Sequence, residues 1–410
     1  MHNTIFLIIV AIIIFDFVFE RIMEWLNGSW RSKPIPNELQ GIYDEAKYKK
    51  QQEYSKVNSR FSFITSGLSF VVMLLFLVFQ GFGWLHYTIS NYTSNPIILG
   101  LLFFGVLFFA MDLIGLPFSV YDTFVIEQKF GFNKTTRKTF ILDKLKGYML
   151  SIIIGGVIYT VVYKFYEFSG ERFWIYTWAI LALFTLFMTL FYSNLIVPLF
   201  NKQKPLPEGE LKTAINEFAS KVGFNLQEIY EINGSKRSTR ANAYFTGLGP
   251  KKRIVLYDTL IKELTTDELI AVLAHEIGHY KKRHTITGLV LSILQMGLML
   301  FLLSLFISNP SLSKALGVEV PVFHIGLIAF GLLYTPLSLI TGLFMNILSR
   351  KNEYQADNFA AQNHNNEALI SALKKLASNN LSNLTPHPFY VTINYSHPSL
   401  LQRITNLQKQ

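Results

Sequence analysis

Long apolar stretches separated by shorter polar segments dominate the pattern along this chain. A membrane-spanning helix needs about 20 mostly apolar residues. Seven stretches qualify, at residues 4–26, 61–85, 96–121, 148–168, 173–200, 285–308 and 322–348. The first has no basic residue before it and no small-residue cleavage site after it, which predicts a retained helix rather than a signal peptide. The pattern predicts a mainly α-helical membrane protein, with five spans in 1–200 and two in 285–348.

The polar segments differ in charge according to their position between the spans. Nearly all of the 37 lysines and arginines lie in 27–60, 122–147, 201–284 and 349–410. Because cytoplasmic loops are enriched in basic residues, this alternation predicts an outside N-terminus and a cytoplasmic C-terminus. The net charge of +10 then reflects these loops. The lipid bilayer is the expected partner, and nucleic acid is not expected.

Composition narrows the chemistry further. Only 16% of the residues are charged, against about 25% in a typical soluble domain. There is no cysteine, which excludes disulfides, cysteine-ligated zinc, iron–sulfur clusters and thiol catalysis. Any metal ion must therefore be held by His, Asp or Glu.

The polar block 201–284 has the pattern of a small cytoplasmic α+β domain. Helical periodicity covers 210–222, and two β-like runs at 243–247 and 253–257 flank a turn signal at 249–252. A further helix is expected to begin near residue 265, where Thr265 and Glu268 have capping-box spacing. We expect it to continue without a break into the sixth span.

This last helix carries the motif His-Glu-x-x-His at His275, Glu276 and His279. Positions four apart differ by about 40° around a helix, so both imidazoles can reach one Zn²⁺. Glu276 is offset from both histidines and is a candidate general base. His284 falls about 180° from His275 on a continuous helix, which excludes it as a ligand and indicates an interfacial side chain.

A catalytic zinc site needs a third protein ligand, and the best source lies just after the seventh span. Glu353 could complete a two-His, one-Glu set, and Asp357 could accept the free N–H of a ligating histidine. The alternative is a surface carboxylate pair. Either His387 or His397 could donate to a developing oxyanion, and the local pattern does not choose between them.

Taken together, these segments resemble the type I CAAX prenyl proteases, which are integral-membrane zinc endopeptidases. The resemblance lies in five parts that follow in the same order: the loop 116–134, the run Asn242-Ala243-Tyr244-Phe245, the zinc motif, the segment 353–357, and Tyr395-Ser396-His397-Pro398 with Arg403. Gln402 departs from the family, in which an acidic residue is common at that position.

The resemblance implies a role for each matching residue. His275, His279 and Glu353 would hold one zinc ion, Glu276 would be the general base and Asp357 would support a ligand. It selects His397 over His387 as the transition-state donor, supported by Arg403. The strand Asn242, Ala243, Tyr244 and Phe245 would bind the substrate backbone. The implied fold is a seven-helix barrel around a hydrated chamber, closed by a gluzincin-like α+β zinc domain in 201–284 and completed by 349–410.

The implied reaction is hydrolysis of a peptide bond near the C-terminus of a peptide or protein, prenylated or otherwise membrane-associated. A short 309–321 loop and the absence of cysteine favour a bacterial inner membrane, with the endoplasmic reticulum membrane as the alternative for a eukaryotic protein. In a bacterial protein, a membrane-protein quality-control protease is an alternative function. A rival enzyme class, the intramembrane-cleaving zinc proteases, ranks lower because polar residues flank the motif on both sides. A metal transporter or channel is the non-enzymatic alternative, in which Glu276 has no required role.

Overall fold

Helices make up most of the computed structural model, which describes residues 3–226, 228–246 and 253–410. The helices are α1 Thr4–Ser29, α2 Glu45–Val78, α3 Gly81–Ser90, α4 Pro96–Tyr121, α5 Glu127–Phe130, α6 Arg137–Ser169, α7 Phe173–Leu195, α8 Val197–Phe200, α9 Glu210–Lys221, α10 Asp258–Glu263, α11 Thr266–Lys281, α12 His284–Phe306, α13 Pro310–Ala315, α14 Phe323–Asn363, α15 Asn366–Asn379, α16 Pro388–Asn394 and α17 Leu400–Leu407. The strands are β1 Gln203–Pro205, β2 Glu228–Ile232, β3 Ala243–Thr246 and β4 Arg253–Tyr257.

Five helical stretches of the described chain are long and apolar enough to cross a membrane. They are Glu45–Val78, Pro96–Phe130, Arg137–Phe200, His284–Phe306 and Phe323–Asn363. The stretch Arg137–Phe200 holds both α6 and α7, joined by a short 3₁₀ turn. Helix α1 falls outside the set because Asp16, Glu20 and Arg21 interrupt its apolar run. A helix therefore lies at each of the seven predicted positions, while five stretches qualify as spans by length and composition.

Large apolar side chains are exposed along these long helices. Phe63 is 59% exposed, Leu113 70% and Phe344 66%. Soluble monomers rarely expose apolar side chains in extensive patches, because water makes such surface unfavourable. The long helices thus have the surface of segments that contact lipid.

Two stretches that the sequence predicts as continuous helix are broken. Helix α2 ends before Gln80, whose φ is 54°, and α3 follows. Helix α11 ends before Arg283, whose φ is 59°, and α12 follows. A left-handed conformation costs an L-residue other than glycine about 1–2 kcal/mol, so neither residue type signals a break. The prediction of one helix across 61–85 and that of an unbroken helix from the metal motif into the sixth span are therefore wrong at these points.

A four-stranded sheet lies in the polar block, in the order β1-β2-β4-β3. Strands β2 and β4 are parallel, whereas β1 pairs with β2 and β3 pairs with β4 antiparallel. The predicted pairing of 243–247 with 253–257 is confirmed for Ala243–Thr246 and Arg253–Tyr257, and the turn at 249–252 lies outside the described residues. Strand β3 lies at one edge of the sheet.

Helix α11 packs between this sheet and the C-terminal part of α14. Leu269 and Leu273 pack with the apolar side chains of the sheet, while Ile277 packs with residues of α14 and α15. At Gly278 an added Cβ would lie 3.1 Å from the Ala356 Cα atom. The absence of a side chain there lets α11 and α14 approach closely, and this brings the two histidines of the motif next to Glu353.

Candidate metal centre and active site

Helix α11 begins with the predicted capping box, which is confirmed. Thr265 Oγ1 accepts from the Glu268 N–H at 3.3 Å, and Glu268 Oε2 accepts from the Thr265 N–H at 2.8 Å. Ser371 and Lys375 of α15 also donate to the Glu268 carboxylate, at 2.7 and 2.8 Å. Burial raises the pKa of Glu268, but these contacts outweigh it and lower that pKa below its usual range. The start of the helix is therefore tied to α15.

Two turns further on, the histidines of the motif turn their Nε2 atoms towards each other. The Nε2 atoms of His275 and His279 lie 3.1 Å apart. Glu353 of α14 places Oε2 3.5 Å from the His275 Nε2 and Oε1 3.3 Å from the His279 Nε2. All three ligand atoms fall within 4.8 Å of one another. The structure thus brings together the three residues for which the sequence predicts metal binding.

These distances fit a tetrahedral metal ion. With Zn–N bonds of 2.0–2.1 Å, two tetrahedral ligand atoms lie about 3.3 Å apart. Glu353 is 4% exposed. In the described part of the chain, no donor reaches its Oε2 with hydrogen-bond geometry, although the His397 Nδ1 lies 3.0 Å away. A buried carboxylate oxygen without such a donor, beside two imidazole nitrogens, is the environment expected of a cation ligand.

The back of the His275 ring contacts an acidic residue. Asp357, which is fully buried, lies 2.8 Å from the His275 Nδ1. Arg403 of α17 donates to both oxygens of Asp357, at 2.9 and 2.5 Å. Burial and the Arg403 charge lower the pKa of His275, but the contacts with Asp357 and Glu353 outweigh them and raise it to about 9. Asp357 therefore lies behind the His275 ring, where it can accept from a ligating histidine as the sequence suggests, whereas Arg403, which the resemblance places near His397, pairs with Asp357.

The back of the His279 ring contacts a residue that the sequence assigns to the membrane interface. The Nδ1 of His284 lies 3.0 Å from the Nδ1 of His279, and His284 is 8% exposed. The interpretation of His284 as an interfacial side chain is wrong, because the break at Arg283 turns it back towards α11. A run of cations at the end of a helix, as at 281–283, is a C-terminus signal that could have indicated this break.

Glu276 is not one of the three residues His275, His279 and Glu353, which together are called the metal group below. It lines a cavity of about 330 Å³ together with His279, His284 and both polar and apolar residues of α12 and α14. Glu276 is partly exposed there. Its carboxylate is therefore accessible to water and to a ligand that enters beside the metal group.

The two tail histidines lie in different places. The His397 side chain is 64% exposed, and its Nδ1 lies 3.0 Å from Glu353. His387 instead caps α16 by accepting from the Phe389 N–H, and its ring packs against Trp30. Of the two, the structure brings His397 to the metal group.

The run from Asn242 to Phe245 forms and precedes the edge strand β3. Asn242 Oδ1 accepts from the Ala243 N–H at 2.9 Å. The Tyr244 hydroxyl lies 3.2 Å from Ser193 Oγ on α7, so this ring points to the membrane helices. The backbone of Phe245 belongs to β3, but its side chain lies outside the described residues.

Comparisons with known proteins agree with this arrangement. Residues 26–202 match the family model described as the CAAX prenyl protease N-terminal domain, with five membrane helices, and residues 205–410 match peptidase family M48. The CAAX prenyl protease 1 of Saccharomyces cerevisiae is 35% identical over 98% of this chain and 94% of its own length. The Homo sapiens homologue is 31% identical over 91% and 88%.

A solved structure is also similar. The crystal structure of S. mikatae Ste24p superimposes with a TM-score of 0.93 at 34% identity, covering 99% of this chain and all of that one. The metallopeptidase family that residues 205–410 of this chain match implies a metal ion. The long apolar helices make the chain a multi-pass membrane protein. This chain belongs to peptidase family M48, in the branch of the CAAX prenyl proteases, and is a membrane metalloprotease.

Proposed function

We propose that this chain is a zinc-dependent endopeptidase that cleaves near the C-terminus of CAAX-type or other membrane-associated peptides at the cytoplasmic face of a membrane. In this proposal the long helices form a seven-helix barrel around a hydrated chamber. The gluzincin-like domain 201–284 and the tail 349–410 close its cytoplasmic end, and the N-terminus lies outside.

One observation supports the metal assignment above all others. Two imidazole nitrogens and a buried carboxylate from two different helices converge, with their ligand atoms within 4.8 Å of one another. A zinc ion held by His275, His279 and Glu353 would polarise the scissile carbonyl and make water more acidic. Nearby polar groups would then supply the general base and the oxyanion donor.

Glu276 is proposed as the general base. It lines the cavity that adjoins His279, so a water molecule and a peptide can meet its carboxylate there. It would take a proton from the attacking water and return it to the leaving amine. A positioned general base contributes about 10²–10⁴-fold to the rate.

His397 is proposed to donate to the oxyanion that develops on the substrate. Its exposed ring lies next to Glu353 and leaves room for a peptide. Loss of one such donor typically costs about 10²–10³ in kcat. Arg403 would support this region through the Asp357 carboxylate.

The edge strand β3 is proposed to align the substrate. The sheet order leaves the far side of β3 unpaired within the described strands, so an extended peptide can add there as a further strand. In this proposal Asn242, Ala243, Tyr244 and Phe245 supply the contacts to the peptide backbone.

The substrate class rests on the relatives, whose names state that they are CAAX prenyl proteases. We propose the same class for this chain, with a prenylated or unprenylated C-terminal peptide as substrate and a tripeptide as product. The proposed cofactor is one zinc ion per chain.

The test compares a farnesylated CAAX peptide with its unprenylated form, using purified protein before and after chelation. We expect one zinc per chain, tripeptide release, and loss of release after chelation that zinc restores. Glu276→Gln should retain zinc and lose activity, with Glu217→Gln on α9 as the matched control. Cleavage that survives Glu276→Gln contradicts the proposal, and metal flux without any cleavage by the unmodified protein favours a transporter.

A further inference from the structure

We propose that His284 is a positioning residue for the metal ligand His279, and that Gln355 fixes the proton on His284. The side chains contact one another in sequence: Gln355 of α14 contacts His284 of α12, which contacts His279 of α11. This inference rests on the proposed zinc site and adds to it two residues that do not touch the metal.

The helix break makes the contact possible. On a continuous helix, His284 would lie five residues and about 140° from His279, facing away from it. Instead α11 ends at Lys281, Arg283 takes a left-handed conformation, and α12 begins at His284 itself. The imidazole of His284 is thereby placed behind the His279 ring and is almost fully buried.

Both contacts have hydrogen-bond distances. The His279 and His284 Nδ1 atoms are 3.0 Å apart, and the His284 Nε2 lies 2.8 Å from Gln355 Oε1. Normal hydrogen bonds of this type measure 2.7–3.2 Å. Since the first contact joins two ring nitrogens, one ring must donate and the other must accept.

The metal decides which ring donates. His279 turns Nε2 towards His275 and Glu353, and a metal-binding nitrogen carries no proton. The neutral His279 ring therefore has its proton on Nδ1 and donates it to the His284 Nδ1. His284 must then carry its own proton on Nε2, where Gln355 Oε1 accepts it. The three side chains admit one consistent assignment of protons, and it leaves the His279 lone pair free for zinc.

This assignment can be tested with variants of the full-length protein in detergent. His284→Phe keeps a ring of similar size but removes the acceptor, whereas His284→Asn places an amide oxygen near the former Nδ1. We expect zinc affinity, measured by competition with a chromophoric chelator, to fall about 10–100-fold in His284→Phe. It should stay within about threefold in His284→Asn, because the acceptor remains. The Co²⁺ absorption spectrum should shift only in the first variant.

A second pair of variants distinguishes an effect of Gln355 on the proton position of His284 from an effect on packing. When His284 is unchanged, Gln355→Leu should weaken zinc binding about fivefold, which is the effect of one neutral hydrogen bond. In the His284→Asn background the same change should have no effect, because an amide oxygen accepts whatever Gln355 does. Thr287→Val, an isosteric change at an exposed position of α12 outside the cavity that Glu276 lines, is the control and should leave zinc affinity unchanged.

The outcomes separate this inference from the proposed function. If the unmodified protein binds no zinc, the proposed function fails. If it binds zinc and His284→Phe binds equally well with the same Co²⁺ spectrum, the inference alone is overturned. An equal loss on Gln355→Leu in both backgrounds overturns it as well, and this comparison remains available if His284→Phe does not fold.

Discussion

The two histidines of the metal group share a helix and a carboxylate neighbour, yet they are supported from behind in different ways. His275 contacts Asp357, which is paired with Arg403 in the protein interior. His279 contacts His284, which begins a membrane helix and bonds to the neutral Gln355. One ring is thus held by a buried ion pair and the other by a chain of neutral groups.

The difference shows what each kind of support depends on. Charge-assisted hydrogen bonds are the stronger kind, but a buried charge left without its partner destabilises the fold severely. A neutral chain has a smaller desolvation cost and orients the ring through its proton positions. We therefore expect changes on the His275 side to affect stability and metal affinity together, and those on the His279 side to affect mainly metal affinity.

The largest effect is expected from Glu353→Gln, because Glu353 contacts both histidines. Loss of a ligand should weaken zinc binding by more than the roughly 100-fold seen for residues behind ligands. Zinc content after gel filtration should fall from one per chain to near zero, and cleavage should stop. Glu367→Gln, at an exposed position of α15, is the control. Full retention of zinc by the Glu353 variant would show that neither side needs this carboxylate.

Asp357→Asn tests the charged side alone. It leaves Arg403 buried without its carboxylate, so we expect about 3–5 kcal/mol less stability and 10–100-fold weaker zinc binding. Thermal unfolding and chelator competition measure the two effects. Asp267→Asn alters a contact between Asp267 and His364 in which the Asp267 side chain is 53% exposed. This change should cost at most about 1 kcal/mol of stability. A smaller stability loss in Asp357→Asn than in His284→Phe would reverse the comparison.

Gly278→Ala acts on both sides at once. Its Cβ would lie 3.1 Å from the Ala356 Cα and 3.2 Å from the Ala356 carbonyl oxygen, so α11 and α14 must separate. We expect a loss of about 1–3 kcal/mol and weaker zinc binding, since both histidines move away from Glu353. Gly342→Ala on α14 has open space around its Cβ and serves as the control. Unchanged unfolding of the Gly278 variant would mean that the two helices adapt freely.

Glu268→Gln should give the smallest effect, on stability rather than on either histidine. The pKa of Glu268 is lowered in the folded protein, so its stabilising contribution is present above the usual carboxyl value of 4.5 and is lost as pH falls through the folded pKa. At pH 7 we expect a loss of about 0.5–1 kcal/mol, because Gln keeps the capping contact but loses the charge that pairs with the partly exposed Lys375. The difference in Tm from the unmodified protein should shrink below pH 4.5. A difference that grows with acidity would contradict this assignment.

Much of the fold follows from local patterns. The apolar stretches predict the positions of seven long helices, and the capping-box spacing predicts the start of the helix that carries His275 and His279. The β3–β4 pairing follows from two β-like runs on either side of a turn signal. In each case the residues that decide the structure are close together in the chain.

Long-range contacts were harder to predict. From the residues alone Glu353 was one of two alternatives, and only the resemblance favoured it as a ligand. The sequence predicts the wrong environment for His284, because helical periodicity extends across Arg283 without a break. The residue type of Arg283 does not signal its left-handed conformation, and helical periodicity contains no information about it.

The short connection between α11 and α12 carries a consequence for tolerated changes in length. Residues 280–283, which are the end of α11 and its two-residue connection to α12, separate His284 from His279, and Lys281 donates to the Gly223 carbonyl oxygen. An insertion later in α12 rotates the rest of that span but leaves the imidazole pair in place. One residue added within 280–283 separates the pair, so this connection should tolerate no variation in length among functional versions of the chain.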